Sequence, residues 1–347
     1  MKNYFKISNL TLGINKEPLL IVDLGINHNG NLDKAIYLSD LAIKNGAKII
    51  KHQTHIAEEE MSIEAKKIIP GNSKHNIFKI IKETSLSLKD EKKLMQYVKS
   101  KKAIFISTPF SKAAADHLNS LKVPCFKIGS GECNNYPLIN YISKFKKPII
   151  LSTGMNDINS VKKAVQIIKK NRVPLAIMHC TNIYPTPTNL VRVKAMLELK
   201  KNFPNVPYGL SDHTSTNYTC YSAVAHGASV IEKHFTDNKK SKGPDMSASM
   251  DPLDLKNMIE GMNIIFNSLE GKKKPVKEEL KTINFAFASI AATKDIKINE
   301  KFTKENIFPL RPYSGYFKVK DYKYLLGKKS KNNIKKGFQI KKNDVFK

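Results

Sequence analysis

Long apolar runs are missing from this chain of 347 residues. A membrane-spanning helix needs about 20 consecutive apolar residues, and no stretch approaches that length. The start, MKNYFKISNLTLGINKEPLL, has no apolar core followed by a small-residue cleavage site. A cytoplasmic protein with no membrane contact is the expectation. Cysteine is sparse: Cys125, Cys133, Cys180 and Cys220 are the four, and no two form a CxxC pair. That excludes a zinc knuckle or a disulfide framework as the organising device. Cys125 sits in an apolar run and reads as core. Arginine is scarce, and neither an aromatic RNA-binding signature nor a recognition-helix signature is present. The formal net charge of +29 therefore reads as lysines scattered over solvated helix faces, with no nucleic acid implied. The excess is densest from Gly271 onward, with 21 Lys and Arg against 7 Asp and Glu. A basic part of that kind helps attract an anionic substrate.

What is present is alternation. Short β-branched or apolar runs fall at 19–24, 47–53, 103–108, 123–130, 148–153, 174–181, 206–213 and 228–235. Amphipathic stretches separate them at 31–44, 89–101, 113–121, 158–170 and 190–201, and another follows at 252–269. Strand–helix alternation repeated eight times predicts an α/β fold, the TIM (β/α)₈ barrel. An open doubly wound sheet would need a Gly-rich dinucleotide turn after the first strand, and GINH at 25–28 is not one. The barrel is expected over 1–270. GKKKPVKEE from 271 opens a charged linker reaching 284, and a small unit follows over 285–347. That unit holds two segments of equal length, 296–307 and 334–345, that resemble one another.

The runs end in polar clusters: Asp23; Lys51 and Gln53; Ser107 and Thr108; Lys127 and Ser130; Ser152 and Thr153; His179 and Asn182; Ser211 and His213; Glu232 and His234. Active sites in this fold lie at the carboxyl ends of the strands. Residues two apart share a face of a strand, so Lys51 with Gln53, Ser211 with His213, and Glu232 with His234 each face one way. His213 and His234, on the last two strands, form a pair of imidazoles without thiolates. Such a pair suits Mn²⁺, Mg²⁺ or Co²⁺ rather than structural zinc. Lys51 and Lys127 with Thr108, Ser130, Ser152, Asn182 and Ser211 make a ring able to cage a phosphate or carboxylate. Glu132, in GSGECNN at 129–135, is either a general acid or base, or an acid interacting with a helix start; the residues alone leave both open. The long segment 55–87 after the second strand reads as a lid or substrate wall.

These motifs resemble those of the bacterial N-acetylneuraminate (sialic acid) synthase family. The matches are GINH at 25–28, KHQTH at 51–55, IPGN at 69–72, STPF at 107–110, KIGSGE at 127–132, LSTGM at 151–155, HCTNIYP at 179–185, GLSDH at 209–213, EKHFT at 232–236 and GPD at 243–245. The C-terminal unit, with Arg311-Pro312, resembles the antifreeze-like (SAF) domain of that family. The resemblance implies condensation of phosphoenolpyruvate with N-acetylmannosamine, with loss of phosphate by C–O cleavage. It implies His213 and His234 as ligands of a divalent metal, Mn²⁺ first among the three. Lys51, Thr108, Ser130, Ser152, Asn182 and Ser211 match phosphoenolpyruvate contacts. Gln53, Asn72, Tyr184 and Asp245 match sugar contacts. Arg311 matches an arginine that reaches the partner's barrel in a domain-swapped homodimer. Asp23 stands where a sugar-binding Glu is usual. Glu132, with Lys51 and Lys127, is assigned to catalysis, Glu132 serving the water that attacks. A synthase of legionaminic or pseudaminic acid, or of the 9-phosphate, is the alternative within enzymes. A non-catalytic carbohydrate-binding protein is the alternative outside them.

Overall fold

The structure, a computed structural model, describes residues 3–70, 74–241 and 243–346. It divides into two compact units, residues 1–270 and 271–347. An antiparallel hairpin of β1 (Tyr4–Ile7) and β2 (Leu10–Gly13) leads the first unit. Eight parallel strands follow: β3 (Leu19–Asp23), β4 (Ile49–Thr54), β5 (Ile104–Pro109), β6 (Phe126–Ile128), β7 (Ile149–Ser152), β8 (Leu175–Cys180), β9 (Tyr208–Asp212) and β10 (Val230–His234). β10 pairs with β3 and closes the barrel. All eight coincide with the runs expected from sequence. β6 is the shortest; the chain turns into a 3₁₀ segment at Ser130–Glu132, which begins on the last residue of the predicted run.

Side-chain parity builds the site. Ile21, Ile49, Ile104, Ile106, Cys125, Ile150, Ala176, Met178 and Val230 form one buried cluster, and Phe5, Ile7 and Leu12 of the hairpin pack into it. This is the barrel interior, with the hairpin plugging its N-terminal end. Stepping two residues along each strand from this apolar layer reaches Asp23, Lys51, Thr108, Lys127, Ser152, Cys180 and Glu232, because alternate residues point the same way. The other parity, including Val22, Ile50, Phe105, Ile128, Leu151, Ile177, Leu210 and Ile231, faces the helix layer in a second cluster.

Ser107 and His179 belong to that outward parity, so two members of the expected polar rim do not face the interior. Ser107 Oγ donates to Glu91 Oε1 at 3.1 Å, and His179 Nε2 lies 2.7 Å from the carbonyl of Val191. The stretch expected as one helix over 190–201 is broken into Thr188–Val191 and Ala195–Asn202. Arg192 turns left-handed at φ 52° between them, and the Val191 carbonyl is taken by His179. Short helices at Ile77–Thr84, Tyr136–Ser143 and Tyr218–Ala225 were not read from sequence.

In the second unit, residues 277–286 are helical, and β11 (Ser289–Ala292) pairs antiparallel with β12 (Ile307–Leu310). Its core is Ile290, Ala292, Ile296, Phe302, Ile307, Phe317, Leu325, Ile334 and Ile340. The two similar segments meet at their first residues: Ile296 and Ile334 exchange both backbone hydrogen bonds, each 2.8 Å.

Candidate active site

The polar layer above the apolar interior is a dense ion-pair network. Lys51 Nζ lies 2.7 Å from Asp23 Oδ2 and 3.8 Å from Glu232 Oε1, and donates to Thr108 Oγ1 at 3.4 Å. Lys127 Nζ donates to Ser152 Oγ at 2.8 Å and to Glu232 Oε1 at 3.1 Å. Ser211 Oγ donates to the same Glu232 oxygen at 3.2 Å. All of these side chains are buried. The register explains the first pair, since Asp23 and Lys51 are direct neighbours on β3 and β4. Asp23 also accepts from the Gly25 amide at 3.0 Å and from Gln53 Nε2 at 3.2 Å.

Burial alone would raise the Asp23 carboxyl, but Lys51 and His234 hold it well below the usual carboxylate range. Burial alone would depress Lys51, but Asp23 and Glu232 push its ammonium up. Both ions therefore persist together at neutral pH. A lysine has three N–H donors, and Lys127 spends two of them within the network. The third is open to an anion.

Ser130, Asn182 and Gly154 close one side. Ser130 Oγ accepts from the Gly154 amide at 3.1 Å. A Cβ on Gly154 would stand 2.0 Å from Asn182 Oδ1, so only glycine admits that approach. Asn182 Oδ1, Glu232 Oε2 and His234 Nδ1 are buried without a hydrogen-bond partner among the described residues. Buried polar atoms are nearly always paired, which marks these three as open to a ligand.

The two histidines face each other, with ring centroids 5.4 Å apart. His213 Nδ1 lies 2.9 Å from the Thr181 carbonyl. A carbonyl only accepts, so Nδ1 carries the proton and Nε2 keeps its lone pair. His234 Nδ1 stands 3.4 Å from Asp23 Oδ2 and 3.9 Å from Asp245 Oδ2. Gly25, at φ 53°, makes room there: a Cβ would come within 2.7 Å of both His234 Nδ1 and Asp245 Oδ2. Tyr184 stacks on His213 at 4.1 Å, and burial raises its hydroxyl well above the ordinary value. Among the described residues no cluster of three or more His, Cys, Asp or Glu forms a metal cage. A two-imidazole donor set with the remaining positions left to oxygen ligands fits the expected divalent cation, and His234 Nδ1, facing two carboxylates without a hydrogen bond among the described residues, is the observation that carries the fit.

The structure thus brings together Asp23, Lys51, Gln53, Thr108, Lys127, Ser130, Ser152, Asn182, Tyr184, Ser211, His213, His234 and Asp245. Asn72 lies outside the described residues. Arg311 is exposed in the second unit, beside a cleft of about 480 Å³ with Leu310, Ser314 and Gln339. Glu132 sits at the rim in the 3₁₀ turn and accepts from Asn135 Nδ2 at 2.7 Å. Glu232 carries no role in the sequence reading, yet both interior lysines and Ser211 converge on it. The available signal was its shared parity with His234; what hid it is that Lys127 lies 105 residues away in the chain.

Comparison with known proteins follows from this geometry. The NeuB family model matches residues 38–274, and the SAF domain model matches 287–345. The chain belongs to the NeuB family. An N,N'-diacetyllegionaminic acid synthase of Campylobacter jejuni is 38% identical over 329 residues, covering 92% of this chain and 98% of that protein. The human N-acetylneuraminate-9-phosphate synthase is 31% identical over 254 residues, covering 72% and 70%. Among solved structures, an N-acetylneuraminic acid synthetase of Leptospira borgpetersenii superposes with TM-score 0.74 at 27% identity, covering 82% of this chain and 96% of that one. As a NeuB-family member the chain is a nonulosonic acid synthase, an enzyme of the phosphoenolpyruvate-dependent synthase class. The barrel is its (β/α)₈ part and the C-terminal unit its SAF domain. No helix among the described residues is long and apolar enough to cross a membrane.

Proposed function

We propose that this NeuB-family enzyme condenses phosphoenolpyruvate with an open-chain acetamido sugar and water, giving a nonulosonic acid and phosphate. The observation that carries the proposal is the buried layer in which Lys51 and Lys127 flank Glu232 directly beneath two imidazoles. Phosphoenolpyruvate presents a phosphate and a carboxylate. Lys127, Ser152, Asn182, Ser130 and Thr108 supply the donors such a ligand needs, with Ser211 beside them turned to Glu232 and Lys51 fixing the opposite wall through Asp23. Its enol carbon attacks the sugar aldehyde, forming the new C–C bond. Water then adds to the former enol ether carbon, and phosphate leaves with the bridging oxygen. His213 and His234 would hold a divalent cation, Mn²⁺ before Mg²⁺ or Co²⁺, and such an ion supplies Lewis acidity towards the aldehyde. Tyr184, Asp245 and Gln53 line the sugar side, and in this reading Arg311 completes it from a second copy of the chain.

Glu132 serves the attacking water. Burial raises its carboxyl above the ordinary glutamate value, the Asn135 hydrogen bond opposes this, and Glu60 adds to it. A base must be ionised, so the acid limb of kcat is expected at a pH above the ordinary glutamate range. Glu132→Gln is expected to lower kcat by about 10²–10⁴ and to remove that limb, with both substrates still binding. A pH–rate profile with the limb intact in the variant contradicts the assignment.

Two of the relatives support one reading of the acceptor. Two legionaminic acid synthases, at 38% and 35% identity, make an N,N'-diacetyl product. Phosphoenolpyruvate contains no nitrogen, so a sugar leading to such a product must bring both acetamido groups. The proposal is an acceptor with two acetamido groups. N-acetylmannosamine, with one, is the second reading, resting on the resemblance of the IPGN stretch at 69–72; His52 bears nothing on it, since its ring faces outward and pairs with Glu91. Phosphate release with Mn²⁺ across both sugars and a no-sugar control tests this. A kcat/KM at least 10-fold higher with the diacetamido sugar is expected; a reversed ratio supports the second reading, and no release with any sugar overturns the enzymatic proposal.

A further inference from the structure

Behind the two imidazoles, on the outward face of β9 and β10, lies a polar cluster turned towards the helix layer. Asp212 and Lys233 form a fully buried ion pair. Lys233 Nζ also donates to the Thr214 carbonyl at 2.5 Å. Asp212 Oδ2 accepts from Thr214 Oγ1 at 2.8 Å and from the Thr214 amide at 3.2 Å, and Asp212 Oδ1 accepts from Thr219 Oγ1 at 3.0 Å. The Thr214 and Thr219 hydroxyls thereby lie 3.1 Å apart, each directed at the same carboxylate.

The sequence positions matter more than the bonds. Asp212 and Thr214 are the two chain neighbours of His213. Lys233 is the residue between Glu232 and His234. One ammonium thus holds a group on each side of the first imidazole, the Asp212 carboxylate before it and the Thr214 carbonyl after it, and its own strand carries the second imidazole one residue away. Parity requires this arrangement: residues facing the site alternate with residues facing the helix layer. The ladder fixes β9 against β10 only as far as Asp212, opposite Lys233. Beyond that point His213 and Thr214 lie outside the strand, so the ladder alone does not fix where His213 stands.

We infer that the Asp212–Lys233–Thr214 cluster is a clamp that sets the spacing and orientation of His213 and His234, making Asp212 and Lys233 positioning residues for the metal site. The inference rests on the proposed metal role of the two histidines. A buried pair is a poor route to stability for its own sake, because desolvating two ions costs about as much as their attraction returns. Groups behind metal-ligating histidines orient the rings, and their loss typically weakens metal binding about 10–100-fold.

The test uses the full chain with both charges removed together, Asp212→Asn with Lys233→Met, so that no unpaired ion is left buried. Thr214→Val, which keeps the ion pair and the backbone contact, is the milder variant. Melting curves first establish that each variant folds. Titration of Mn²⁺ into protein free of substrate is then expected to show about 10–100-fold weaker binding in the double variant and a smaller loss in Thr214→Val. Phosphoenolpyruvate affinity should change less than about 3-fold, because Lys51, Thr108, Lys127 and Ser152 lie on other strands and Ser211, on β9, is held opposite Glu232 by the ladder. In metal-free protein, the ¹⁵N imidazole signals of His213 and His234 should move, while those of His52 and His117 stay. Unchanged Mn²⁺ affinity with unchanged imidazole signals in a folded double variant overturns the clamp. If the wild-type chain itself binds no Mn²⁺, the metal reading falls, and the imidazole signals alone decide the clamp. If the double variant does not fold, the Thr214→Val imidazole signals decide it in the same way.

Discussion

Lys127→Met is expected to lower kcat/KM for phosphoenolpyruvate by about 10²–10³-fold, with most of the loss in phosphoenolpyruvate binding. Lys127 reaches into the barrel interior from β6 and is held by Ser152 and Glu232. Its third N–H has no hydrogen-bond partner among the described residues. Truncating one partner of a buried, hydrogen-bonded charge contact costs about 2–5 kcal/mol, which at 1.4 kcal/mol per tenfold spans the stated range. The fold should survive, because Glu232 keeps Ser211 at 3.2 Å and Lys51 at 3.8 Å. Steady-state kinetics with calorimetric titration of phosphoenolpyruvate check this. A variant that binds phosphoenolpyruvate as tightly as the parent would place the anion elsewhere.

The second large effect concerns metal dependence. His234→Ala is expected to remove Mn²⁺-dependent turnover, a loss of at least about 10³-fold, because one of the two inward-facing imidazoles that would hold the proposed cation is then absent. The control is His179→Ala. His179 is also a histidine near the tip of a barrel strand, but it faces outward and pairs with the Val191 carbonyl. Burial depresses its imidazole, so it is held neutral as a structural group. The control should keep its metal dependence and lose only stability. Mixing His234→Ala protein with Arg311→Ala protein extends the test. Recovered turnover supports an arginine acting from the partner copy, and none contradicts it. If His179→Ala and His234→Ala behave alike, the assignment by strand parity is wrong.

Strand positions were legible because each barrel strand is a short buried run bounded by polar residues, and parity of two carried Lys51, Gln53, Ser211, His213, Glu232 and His234 to one face. The same rule separates Ser107 and His179 from the site, yet the polar residue at the end of a run does not announce its parity until the apolar interior is known. Short elements escaped. The hairpin strands are four residues each, too short for a period to show, although Phe5, Ile7 and Leu12 are what seals the barrel floor. Glu232 illustrates the other kind of limit. Its parity with His234 is visible in three letters of sequence, but its partners come from β4, β6 and β9, and only closure of the barrel brings them together. Asp23 is a sharper case. Sequence offered it as a shortened sugar contact; the structure shows its carboxylate engaged by Lys51, Gln53 and the Gly25 amide, so its first task is to hold the Lys51 wall.

The central claim, that phosphate leaves phosphoenolpyruvate by C–O cleavage as the sugar is consumed, is tested most directly with phosphoenolpyruvate carrying ¹⁸O in the bridging position. With Mn²⁺ and the diacetamido sugar, mass spectrometry should find the label in the released phosphate, one phosphate per nonulosonic acid formed, and none released without sugar. Label retained in the keto acid, or phosphate released at the same rate without sugar, would contradict it.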